Sequence, residues 1–155
     1  MSAGIPKALY DFLKKSENLS IGYSEITYLE PDEVREQQAG YHDDAESDWK
    51  SEWIVIASDQ MGDPIFVDTS MDSLPVFTAM HGEGSWDPTR IADNLESFKV
   101  VVESLRKISV GRESPVELEG NPIPQKDVNI LIQEIEITNP ASESSYWKVF
   151  LDQEN

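Results

Sequence analysis

The stretch WIVIASDQMGDPIFVDTS, Trp53 to Ser70, places three aspartates, Asp59, Asp63 and Asp68, around a short loop between two apolar runs. Carboxylates in such a cluster could ligate a hard cation or move protons. A calcium loop sets oxygen ligands at alternating positions about a central glycine and closes on a bidentate glutamate at the twelfth position. Here Asp59 and Asp63 are four apart, and the twelfth residue counted from Asp59 is Ser70, so the calcium pattern fails. Paired carboxylates for acid–base work stay open, because strands bring distant acids together, but nothing in the spacing selects them. Aspartate and glycine also make turns: Asp side chains bond nearby backbone N–H groups, and Gly62 adopts positive φ without steric cost. The spacing predicts a hairpin with turn and surface acids.

His81-Gly82-Glu83 matches the H-x-E portion of a zinc deaminase site, which also requires cysteine ligands that this chain lacks. His-Glu-x-x-His is absent, and His42 is the other histidine. Gly82 and Gly84 give G-x-G without the third glycine of a dinucleotide fingerprint. There is no Gly-Lys-Ser/Thr phosphate loop and no G-x-S-x-G elbow, and no order of Ser, His and Asp points to a triad. His81 reads as a loop histidine with a hydrogen-bonding role. Neither a metal nor a cofactor is expected. Trp86 follows the HGEGS loop and precedes Asp87-Pro88; it is either core packing or an aromatic contact for a partner. The acids Asp43, Asp44, Glu46 and Asp48 form a solvated face or a landing site for a cationic partner. The candidate partner-binding set is therefore Asp43, Asp44, Glu46, Asp48, Glu83, Trp86 and Asp87.

The elements that would carry these residues follow from periodicity. Ile5, Leu9, Phe12 and Leu13 recur at helical spacing after Pro6, predicting an amphipathic helix over 6–16 with Lys7, Lys14 and Lys15 outward. SEITYL alternates as a strand over 24–29. Pro31 opens a second helix, PDEVREQQAGY, with acids in its first turn. YHDDAESDWK, 41–50, reads as an exposed loop. WIVIA, Ile65–Val67 and Pro75–Met80 form three strands of an antiparallel meander. Asp93 is expected to cap a helix carrying Leu95, Phe98, Val101, Val102 and Leu105. GRESPVELEGNPIPQ reads as a loop. Val128, Leu131, Ile132 and Ile135 fit a helix, although the alternation of Val128, Ile130 and Ile132 also suits a strand; helix is preferred. Tyr146, Trp147, Phe150 and Leu151 form two i, i+4 pairs on a last helix.

The 155 residues suit one domain, 1–155, with ample aromatic material for a core: four Trp, five Tyr and five Phe. No apolar run approaches the roughly 20 residues of a membrane span, and the N-terminus lacks a secretory pattern. The absence of cysteine excludes disulfides and fits a cytoplasmic protein. A net charge of −18 opposes binding to nucleic acid phosphates or anionic lipid. It serves solubility, or it steers a strongly basic partner.

Taken in order, IPKALYDFLKK, WIVIASDQMGDPIFVDTS, PVFTAMHGEGSW, IADNLESFKVVVESL and NPASESSYWKVFL resemble the SUKH superfamily, the Smi/Knr-like proteins of fungi and bacteria. An Asn-Gly-Gly turn frequent after the first helix of that superfamily is replaced here by Glu17-Asn18-Leu19-Ser20. The resemblance implies an α+β fold with a curved antiparallel sheet flanked by helices, and a binding scaffold without catalysis. Bacterial members are widely regarded as immunity proteins that neutralise toxins, often nucleases; fungal members are linked to regulation of cell-wall synthesis. No catalytic residue is carried over. The expectation is a non-catalytic module with a protein partner, a basic toxin domain or a regulatory target, ahead of a metal-assisted hydrolase built on scattered aspartates.

Overall fold

The computed structural model describes residues 5–42 and 48–152. Six strands run in sequence order through one antiparallel sheet: β1 (Leu19–Ile21), β2 (Ser24–Tyr28), β3 (Trp53–Asp59), β4 (Pro64–Asp68), β5 (Val76–Thr78) and β6 (Thr89–Ala92). The sheet curls into a half-barrel. Helices α1 (Lys7–Lys14), α3 (Leu95–Ser109) and α6 (Ser145–Phe150) share the core on its inner face, with α5 (Gln125–Thr138) packed against α3; α2 (Val34–His42) lies against β3, and α4 (Pro115–Gly120) follows α3. The expected α+β meander with flanking helices is borne out, as are the hairpin and the helical choice for 125–138.

The sheet is filled on both sides, which explains why WIVIA reads as an unbroken apolar run. Alternate residues point to opposite faces of a strand. Ile54 and Ile56 therefore join Ile65, Val67, Phe98 and Trp147 in the inner core, while Trp53 and Val55 join Trp49, Phe66 and Ala79 in an outer aromatic layer. A bulge between Val55 and Ala57 shifts the register against β4.

Past Leu29 the chain leaves β3, whose edge would otherwise be open at Val55. The buried side-chain amide of Gln38 on α2 takes the missing strand's place. Its Oε1 accepts from the Val55 N–H at 2.8 Å and its Nε2 donates to the Val55 carbonyl at 3.1 Å. Gln38→Leu keeps the bulk but leaves both backbone groups unpaired, at roughly 1–3 kcal/mol each. The expected loss is about 2–6 kcal/mol, read as a lower urea midpoint at unchanged slope.

Three sequence expectations change, and a strand lies where no element was predicted. Asp93 does not cap α3. Asn94 does, accepting from Ser97 N–H at 2.7 Å in a reciprocal box, because the box needs the residue three before Ser97. The Asp93 carboxylate instead accepts from Ala141 N–H at 3.1 Å and from the Ser142 hydroxyl. The segment GRESPVELEGNPIPQ contains helix α4, started by a Ser114–Glu117 capping box with Pro115 in the first turn. Residues 19–21 form strand β1, joined to β2 by the two-residue Gly22-Tyr23 turn, where Gly22 has φ +60°. Trp49, placed by the reading of 41–50 as an exposed loop, is buried.

Candidate functional site

The β3–β4 turn is built around Asp59, which is buried at 7% exposure. Its Oδ1 accepts from Met61 N–H at 2.9 Å and Asp63 N–H at 3.1 Å, and Gly62 between them has φ +80°. Its Oδ2 accepts from the Tyr146 hydroxyl at 2.9 Å, so one carboxylate both forms the turn and latches α6 to the sheet. Burial, then the neighbouring Asp59 charge, pushes the Tyr146 phenol well above its ordinary range. Asp63 performs a similar task for the loop after β5: its Oδ1 accepts from His81 N–H at 3.0 Å and pairs with His81 Nδ1 at 2.6 Å. The histidine thus has the hydrogen-bonding role expected of it.

The loop 81–88 is held at its other end by Trp86. The Trp86 N–H lies 3.1 Å from both Asp48 carboxylate oxygens. Its half-buried ring meets Tyr41 at 5.7 Å and Trp49 edge-on at 5.2 Å between centroids. Burial raises the Tyr41 phenol. The structure therefore brings Asp48 and Trp86 together, while Glu83 and Asp87 stand on the opposite side of the same loop, exposed. Asp43, Asp44 and Glu46 lie outside the described residues.

Between the β3–β4 turn, the end of β5, loop 81–88 and α6 lies a cleft of about 640 Å³. Four carboxylates line it, Asp59, Asp63, Glu83 and Asp87, and no Lys or Arg does. Its apolar side comes from Met61, Ala79, Met80, Tyr146 and Val149. Of the candidate partner contacts named from the sequence, Glu83 and Asp87 line this cleft and Asp48 and Trp86 do not; Met61, Met80 and Val149 were not among the candidates. The available signal was a methionine at the tip of a polar turn, where packing cannot require it. Among the described residues no cluster of three or more His, Asp or Glu could hold a metal ion, and no helix is long and apolar enough to cross a membrane. The arrangement offers negative potential over a deformable apolar surface, which suits binding.

The family model of SMI1 / KNR4 (SUKH-1) matches residues 1–99, a span that includes the whole sheet, the Asp48–Trp86 contact and loop 81–88. No curated protein and no solved structure matches the chain.

Proposed function

The chain belongs to the SMI1 / KNR4 (SUKH-1) family, and from that membership we propose that it is a non-catalytic immunity protein that binds and neutralises a toxin domain in the cytoplasm. The observation that carries the reading is the carboxylate-ringed cleft, which has no cation of its own, in a chain of net charge −18. A nuclease toxin must be basic where it holds nucleic acid, since phosphate contacts require Lys and Arg. An acidic surface steers such a partner: association rises to about 10⁸–10⁹ M⁻¹s⁻¹ at low salt, against roughly 10⁵–10⁶ without steering. The acids govern approach, and apolar contacts govern residence.

The test is a search of the adjacent open reading frames for one ending in a basic, toxin-like domain, followed by stopped-flow association of the purified chain with that domain across ionic strength; absence of such a frame counts against the immunity reading. The Debye length falls from about 30 Å at 0.01 M to about 10 Å at 0.1 M, so the on-rate is expected to drop tenfold or more over that range. An on-rate indifferent to salt removes the steering. Failure to bind the domain, with no protection of cells expressing it, removes the immunity reading.

A further inference from the structure

Ten large apolar side chains are exposed among the described residues, and three of them, Met61, Met80 and Val149, meet at the carboxylate-ringed cleft. They are 68%, 62% and 64% exposed. Met61 sits at a turn tip and Met80 just beyond a strand end, both places where a polar side chain would be the ordinary choice. Methionine is unbranched and polarizable, so it moulds to apolar partners of different shape. An apolar floor inside a ring of negative charge complements one kind of surface: apolar anchors flanked by Lys and Arg.

Strand addition is closed to such a partner at the adjoining sheet edge. The outer side of β6 is already used, with Glu143 N–H donating to the Arg90 carbonyl at 2.9 Å, the Trp147 indole N–H to the Ile91 carbonyl at 2.8 Å, and Asp93 N–H to the Asn139 side chain at 2.8 Å. Recognition here must go through side chains, as when an amphipathic helix lays its apolar face in a groove. We propose that the cleft receives a cationic amphipathic helix of a protein partner, its apolar stripe on Met61, Met80 and Val149 and its Lys or Arg side chains against Glu83, Asp87 and Asp63. This rests on the reading of the chain as a protein-binding module, and adds the place and the chemistry of the segment bound.

The probe is a synthetic peptide of about four helical turns, Leu at i, i+3, i+4 and i+7 and Lys elsewhere, titrated against the full chain by calorimetry. A second peptide has the same composition with its Leu residues dispersed around the helix. Micromolar binding of the first is expected, at least tenfold tighter than the second, with the Met61 and Met80 methyl resonances shifting on titration. The double variant Met61→Ser/Met80→Ser should bind tenfold or more weakly while its circular dichroism is unchanged; Met71→Ser, outside the cleft, should bind as the parent. Equal binding of both peptides shows attraction by net charge alone and overturns the proposal. So does no binding, or self-association of the parent that the double variant abolishes, which would make a second copy the occupant. Carried into the toxin measurement, the double variant separates the two readings. Toxin binding that survives it overturns the cleft and leaves the module; absent toxin binding with intact peptide binding leaves the cleft and overturns the toxin.

Discussion

Trp147→Ala lowers the unfolding free energy by about 4 kcal/mol, a large share of the 5–15 kcal/mol typical of a domain. Trp147 is fully buried where α6 meets the sheet. Its ring packs on Phe98 at 6.1 Å and Phe150 at 5.8 Å between centroids. Truncation leaves a cavity bordered by a helix, a strand and a second helix that cannot all close on it at once. It also orphans the Ile91 carbonyl, which accepts the indole N–H at 2.8 Å. With a urea slope of ~2 kcal/mol/M, the midpoint falls by about 2 M. Trp147→Phe keeps most of the ring contact and loses the hydrogen bond, so it should cost well under half as much. A loss below about 1 kcal/mol for the alanine variant would show that α6 is not a structural member of the core.

Raising the pH beyond 10 is the second large perturbation. Burial pushes the phenols of Tyr28 and Tyr146 far above their ordinary value; at Tyr28 the Arg106 charge opposes this and Glu103 reinforces it more weakly, while at Tyr146 Asp59 reinforces it. A raised folded-state pKa means that the unfolded chain releases its protons first. The stabilisation is therefore complete below the unfolded tyrosine value of about 10 and drains away as pH climbs above it. Each phenol contributes a slope of about 1.4 kcal/mol per pH unit, so the pair removes about 4 kcal/mol by roughly pH 11.5. Tyr41, raised by burial and by Asp63, adds in the same sense. Urea titrations between pH 8 and pH 11.5 give the slope. In the Tyr28→Phe/Tyr146→Phe variant the profile should flatten, at the expense of the Tyr146–Asp59 bond near neutrality; an unaltered profile would place the alkaline sensitivity elsewhere.

The elements that could be read from the sequence are those long enough to repeat. Leu95, Phe98, Val101, Val102 and Leu105 state the buried face of α3 directly, and all five are buried. The β3–β4 hairpin declares itself by paired apolar runs around Asp-Gln-Met-Gly-Asp. Strands of three and four residues, β1 and β6, are too short for an alternation to show, and their place is assigned by the neighbours that pair with them. Helix α4 buries no residue, so its sequence carries no apolar stripe; only the Ser114–Glu117 box marked it. Trp49 was hidden by the acidic company it keeps, since burial there depends on Trp53, Phe66 and Trp86 arriving from elsewhere. The cleft is the extreme case. Its walls come from 59–63, 78–89 and 145–149, and no window of the chain contains them together. Asp59 was legible as a turn residue, but not its second partner 87 positions away.

The carboxylates about the cleft divide unequally between architecture and surface. Asp48, Asp59 and Asp63 each hold a turn, a loop or a helix in place, so exchanging any of them disturbs the scaffold. Glu83 and Asp87 make no side-chain bond among the described residues. Exchange at Glu83 and Asp87 therefore alters the charge around the cleft while the framework stays intact, whereas Gly82 and Gly84 beside Glu83, at φ +79° and +82°, hold the loop's path and resist replacement.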